Sequence, residues 1–115
     1  MKVIRTKNES ISVKEKYLMS MNPEIQRMRD AEGMNVPVLN WMIYSDTDKE
    51  GNEQTLLSIL SKDNVVYATN SRTFIESFAT LCDMFTESGE EITVIKVIGG
   101  QSKAGRHFIT CAYAE

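Results

Sequence analysis

Two cations stand three positions apart, Lys103 and Arg106, in the run Gly99-Gly100-Gln101-Ser102-Lys103-Ala104-Gly105-Arg106, and His107 follows directly. Glycine, small polar residues and paired positive charge are the makings of an exposed, flexible loop that meets an anion. Lysine supplies a point charge; arginine supplies a planar fork that fits two phosphate oxygens. Further cations, Lys62, Arg72 and Lys96, lie in or beside β-rich runs, as do the aromatics Trp41, Tyr44, Tyr67, Phe108 and Tyr113. A cationic track with aromatic faces is the chemistry that holds a single nucleic-acid strand, and each stacked base contributes ~1–3 kcal/mol.

Covalent and acid–base chemistry find no such support. His107 is the lone histidine, and the sequence singles out neither a nucleophile nor an orienting acid for it. The glycines at 99, 100 and 105 lack the Gly-Lys-Ser/Thr ending and the strand-to-helix setting of a phosphate-gripping P-loop. Asp46, Asp48, Glu50 and Gly51 imitate the start of a calcium loop, but Leu57 stands where the bidentate glutamate belongs, and strands flank the segment. We expect no enzyme, no catalytic or metal-ligating residue, and no cofactor.

The loop needs a scaffold. Ile92–Ile98 and His107–Tyr113 are β-branched and aromatic, so the spacing predicts a β-hairpin with Lys103 and Arg106 at its tip. Val36–Tyr44 is a strand, with Pro37 near its start or on an edge. Tyr44 and Tyr67 are amphipathic enough to serve core or surface, and Trp41 shares a parity with Leu39 and Ile43 that marks it as core. Residues 53–69 form a second hairpin, turning at Lys62-Asp63-Asn64. Phe74, Ile75, Phe78, Leu81, Cys82 and Phe85 recur at helical spacing, with Thr73 and Glu76 as a capping box and Ser71 as a competing cap.

Residues 1–10 read as a basic arm or short edge strand. Residues 12–32 read as two helical pieces, the first opened by Ser12-x-x-Glu15, the second running from Pro23 to Ala31 behind an Asn22 cap and ending at Gly33. We expect this region, 1–34, to be a weakly packed arm and helical extension, and 35–115 to be the main domain. Its methionines suit gap filling or an adaptable partner surface.

The chain has 115 residues and a formal net charge of −3. That size fits one domain, and that charge opposes bulk capture of duplex nucleic acid while permitting a local basic stripe. Cys82 and Cys111 lack metal-type spacing and fall in apolar patterns, as reduced core residues of a cytoplasmic protein do. The N-terminus has no apolar core after its cations, so no secretory signal is expected, and no run reaches the roughly 18 apolar residues of a membrane span.

Strand, strand, strand, helix, strand, strand is the order of an OB-fold, a five-stranded Greek-key barrel whose binding face lies on its second and third strands. We therefore expect a mainly β (α+β) chain with an OB-like barrel and an N-terminal helical extension; a curved open sheet backed by the helix is the alternative. Leu56–Ser71, Thr73-Phe74 with the helix bearing Phe78, and Ser102-Lys103-Ala104-Gly105-Arg106-x-Phe108-x-x-Cys111 together resemble the small OB-fold single-stranded-DNA-binding proteins of Gram-positive phages and mobile elements. The resemblance covers about residues 36–113. It implies non-specific binding of single-stranded DNA in phage or mobile-element replication or recombination, inside the host cytoplasm, beside host or phage replication proteins. By position it makes Lys103 and Arg106 phosphate contacts, and the residues expected at the interface are these two with Lys96, Tyr67, Tyr44, Lys62, Arg72 and His107. Unlike cellular single-strand binders, the sequence shows no long acidic, glycine-rich tail before its end at Ala114-Glu115, a departure that puts recruitment of replication partners through such a tail in doubt. Edge strands and the methionine-rich segment offer a route to homo-oligomers. A second function class fits the same acidic small domain: a phage-encoded protein-interaction module, an inhibitor of a host protein or a virion accessory protein, that binds no nucleic acid.

Overall fold

β-branched and aromatic residues are densest between Asn35 and Thr69 and between Val94 and Tyr113, and there the strands form. The computed structural model describes residues 1–7 and 11–114. In chain order the elements are β1 (Lys2–Thr6), α1 (Val13–Ser20), β2 (Gln26–Arg27), a 3-10 turn (Met28–Ala31), β3 (Asn35–Thr47), β4 (Glu53–Ser61), β5 (Val66–Thr69), α2 (Arg72–Glu87), β6 (Val94–Gln101) and β7 (His107–Tyr113). The strands line up as β2-β5-β4-β3-β6-β7, with β1 also on β3. The chain is mainly β, and its sheet is curled and open, a half-barrel.

β3 is the hub. Residues Val38–Thr47 pair with β4, Asn35–Pro37 with β6 and Met42–Ser45 with β1. An irregularity between Val38 and Asn40 bends the strand where it passes from one partner to the next, as bulges do.

The main core lies between the sheet and α2. Phe74, Phe78 and Cys82, four residues apart, are buried from the helix side against Trp41, Ile43, Leu57, Ile59, Ile95 and Val97. Phe78 meets Trp41 edge to face at 5.2 Å. Ser71 caps the helix by accepting the Phe74 N–H at 3.3 Å; Thr73 does not, and Glu76 pairs with Arg72 instead of closing a box. On the far side of β3 and β4, α1 presses Met19 against Met42, Tyr44, Leu60 and Val66. With both faces covered, Trp41 to Ser45 are all buried, and the expected inside–outside alternation of this strand is lost.

The N-terminal region differs from the expected helical extension. The Ser12–Glu15 capping box is present, but Pro23–Ala31 is not an α-helix. Asn22 accepts the Glu24 N–H in an Asx turn, β2 pairs parallel with Tyr67 and Ala68 of β5, and the 3-10 turn buries Met28 and Ala31 in the main core. Covering the open edge of β5 and burying Met28 outweigh local helix preference, which amounts to under about 1 kcal/mol per residue for ordinary residues. The basic arm is likewise docked. Arg5 pairs with Asp83 at 2.9 Å and lies 5.6 Å from the Trp41 ring, while Lys7 donates to the Leu39 carbonyl.

Among the described residues no helix is long and apolar enough to cross a membrane. Cys82 and Cys111 are free and buried, and burial pushes their thiols up to about 11 and about 12. Since the thiolate is the reactive form, neither should react with a thiol reagent at neutral pH until guanidinium unfolds the chain, when both should react. Labelling followed by mass spectrometry checks this; a modified native protein would show that the core opens.

Candidate nucleic-acid interface

β6 and β7 are paired from Ile95–Tyr113 up to Gln101–His107, and residues 102–106 close the hairpin. The tip is less flexible than its composition implies. Ser102 N–H donates to the Arg106 carbonyl at 2.9 Å, Gly105 N–H donates to the Ser102 carbonyl at 2.9 Å, and Arg106 N–H donates to Ser102 Oγ at 3.2 Å. Gly105 sits at φ 80°, a conformation that favours glycine. Lys103 and Arg106 are exposed, and neither side chain has an ion-pair partner among the described residues.

The loop end of the hairpin is braced at Gly99 and Gly100. Gly99 leaves room for the Glu32 carboxylate, which would collide with any side chain there and which accepts from His107 Nε2 at 2.8 Å. Gly100 faces Phe108 across the ladder, and the end of that ring lies over it.

The other expected residues scatter. Lys96 is exposed on β6, alternating with buried Ile95 and Val97. Lys62 is exposed in the β4–β5 turn. Arg72 opens α2 in a 2.8 Å pair with Glu76. Tyr67 is half-buried and packs on the main core. Tyr44 is buried, 3% exposed, with its hydroxyl near Ser58 Oγ; burial pushes its phenol above the usual range, and the Ser58 hydrogen bond offsets part of that. A ring sealed beneath α1 cannot stack on a base, so Tyr44 leaves the candidate surface. Trp41 is buried as expected, and Tyr113 packs on Phe85 at 5.3 Å.

What the fold adds is a groove of about 410 Å³ beside the loop end of the hairpin. It is lined by Arg27, Met28 and Arg29, by His107, Phe108 and Ile109, and by Leu56 with Ala68–Ser71. Arg27 shares its charge with Asp30 at 3.2 Å; Arg29 is exposed without an ion-pair partner among the described residues. These two arginines were absent from the sequence expectation. No local signal marks them, because they reach the groove through the parallel pairing of β2 with β5, about forty residues downstream. The acidic chain thus gathers Arg27, Arg29, Lys103, Arg106 and His107 around one hairpin.

A family model described as phage single-stranded DNA-binding protein, of the phi29 type, matches residues 19–113. The single-stranded DNA-binding proteins of Bacillus phages phi29 and PZA are each 32% identical to the chain over 66 residues, 57% of this chain and 53% of theirs. The match therefore spans about half the length of these curated relatives. No solved structure matches the chain. On the family match, which takes in the hairpin, the groove and both core helix and sheet, the chain belongs to the phi29-type family of phage single-stranded DNA-binding proteins.

Proposed function

We propose that this protein binds single-stranded DNA without sequence preference and serves phage or mobile-element replication or recombination in the host cytoplasm. The observation that carries the reading is the exposed cationic tip, Lys103 and Arg106, which have no ion-pair partner among the described residues, next in sequence to His107–Ile109, which line a groove shared with Arg27 and Arg29. A groove lined by two arginines beside a cationic loop suits a flexible phosphodiester chain better than a flat protein surface. The family match and the named function of the phi29 and PZA relatives support the same partner.

In this reading the half-barrel is an opened OB-like body, with β3, β4, β5, α2, β6 and β7 in the order of that fold and the β6–β7 loop edging its binding face. Lys103, Arg106 and Arg29 take phosphates. Lys96 and Lys62 are exposed outlying contacts, Arg72 is tied to Glu76, and His107, on the groove, is tied to Glu32. Tyr67 has only its half-exposed side to offer.

Fluorescence anisotropy with labelled oligo-dT tests the proposal. Binding is expected at low salt, and the logarithm of the association constant should fall against the logarithm of salt with a slope of about −0.7 per phosphate contacted, about −2 for three contacts. No binding at low salt, or binding indifferent to salt, would overturn it.

A further inference from the structure

Phe108 is the aromatic side chain at the groove that combines exposure with a fixed seat. It is 37% exposed, yet the end of its ring rests over Gly100 so closely that a Cβ there would lie 2.8 Å from Cζ. Glycine at 100 is what lets the ring lie across the ladder. What sets this ring apart is its place: it lines the groove and is open to whatever the groove holds.

The groove shows what that would be. Its lining joins buried Met28 and Ile109 and half-buried Leu56 to exposed Arg27 and Arg29. A planar apolar group suits the ring and the apolar lining, and an anion suits the two guanidinium groups. A nucleotide unit carries both, joined by a sugar. The volume of about 410 Å³ falls in the range of roughly 300–1,000 Å³ found for small-molecule sites, which is room for one such unit. We infer that Phe108 is a base-stacking platform and that the groove seats one base of the strand, with Arg29 on the phosphate beside it. This inference rests on the single-strand reading above and assigns it a base site distinct from the phosphate contacts of the tip.

The test compares oligo-dT with an abasic oligomer of the same length, which keeps the sugar-phosphate chain and lacks every base. Phe108→Ala should lose 5- to 150-fold in affinity for oligo-dT, about the worth of one stacked base, with an unchanged salt slope. On the abasic oligomer it should bind as the wild type does. Phe108→Leu, which keeps apolar packing over Gly100 but has no π-face, should follow the alanine variant. Phe108→Trp should retain binding, and its emission should be quenched by oligo-dT above the background of buried Trp41. Equal affinity of wild type and Phe108→Ala for oligo-dT, or an equal loss on both oligomers, would overturn the base site while leaving the single-strand reading intact. A wild type that binds neither oligomer would overturn both.

Discussion

Alanine at both Lys103 and Arg106 is expected to weaken oligo-dT binding about 25-fold at roughly 0.1 M salt. The figure follows from counterion release: each lost phosphate contact removes about 0.7 from the log–log slope, so two contacts remove about 1.4 decades between 1 M salt and 0.1 M. The slope itself should flatten by about 1.4. The protein should remain folded, since both side chains are exposed and the hydrogen bonds that shape the loop come from Ser102, Gly105 and the main chain. A titration with and without the substitutions, at several salt concentrations, reads both quantities. Unchanged affinity would move the interface off the tip. Loss of affinity with an unchanged slope would mean that the tip acts through shape and not through charge.

Truncating Phe78 should have the largest effect on stability. Its side chain is fully buried at the centre of the α2 face, with Trp41 edge-on at 5.2 Å. Phenylalanine-to-alanine changes in such sites cost about 3–5 kcal/mol, because the transfer free energy is lost and a cavity is left. Domains of this size are stable by only about 5–15 kcal/mol, so Phe78→Ala should lower the melting temperature by roughly 15–30 °C or leave the chain unfolded. Thermal denaturation followed by circular dichroism decides this. A shift of only a few degrees would mean that α2 does not close the core as described.

Local signals were the legible ones. The spacing of Phe74, Phe78 and Cys82 marked the buried face of α2, Ser12 and Glu15 marked the start of α1, and the Gly-rich run placed Lys103 and Arg106 on a hairpin loop. Each depends on neighbours within a turn or two of the chain. The misreadings that bear on the site involve distant partners. Pro23–Ala31 has a helix-like opening, but its fate is set by the free edge of β5 and by a place for Met28 in the core. Tyr44 carries the same alternation as a solvent-facing strand residue, and only the docking of α1 on that face buries it. The groove arginines, Arg27 and Arg29, were invisible for the same reason: pairing across the chain brings them there. The contest between Ser71 and Thr73 is different in kind, a choice between two adequate caps two residues apart.

The brace between Glu32 and the hairpin has a consequence for how such sequences can drift. A side chain at 99 would push aside the Glu32 carboxylate, the free end of a partly exposed side chain. The cost would fall on the hydrogen bond to His107, so a substitution at 99 should free the imidazole long before it disturbs the strands, although position 32 lies 67 positions away in the sequence.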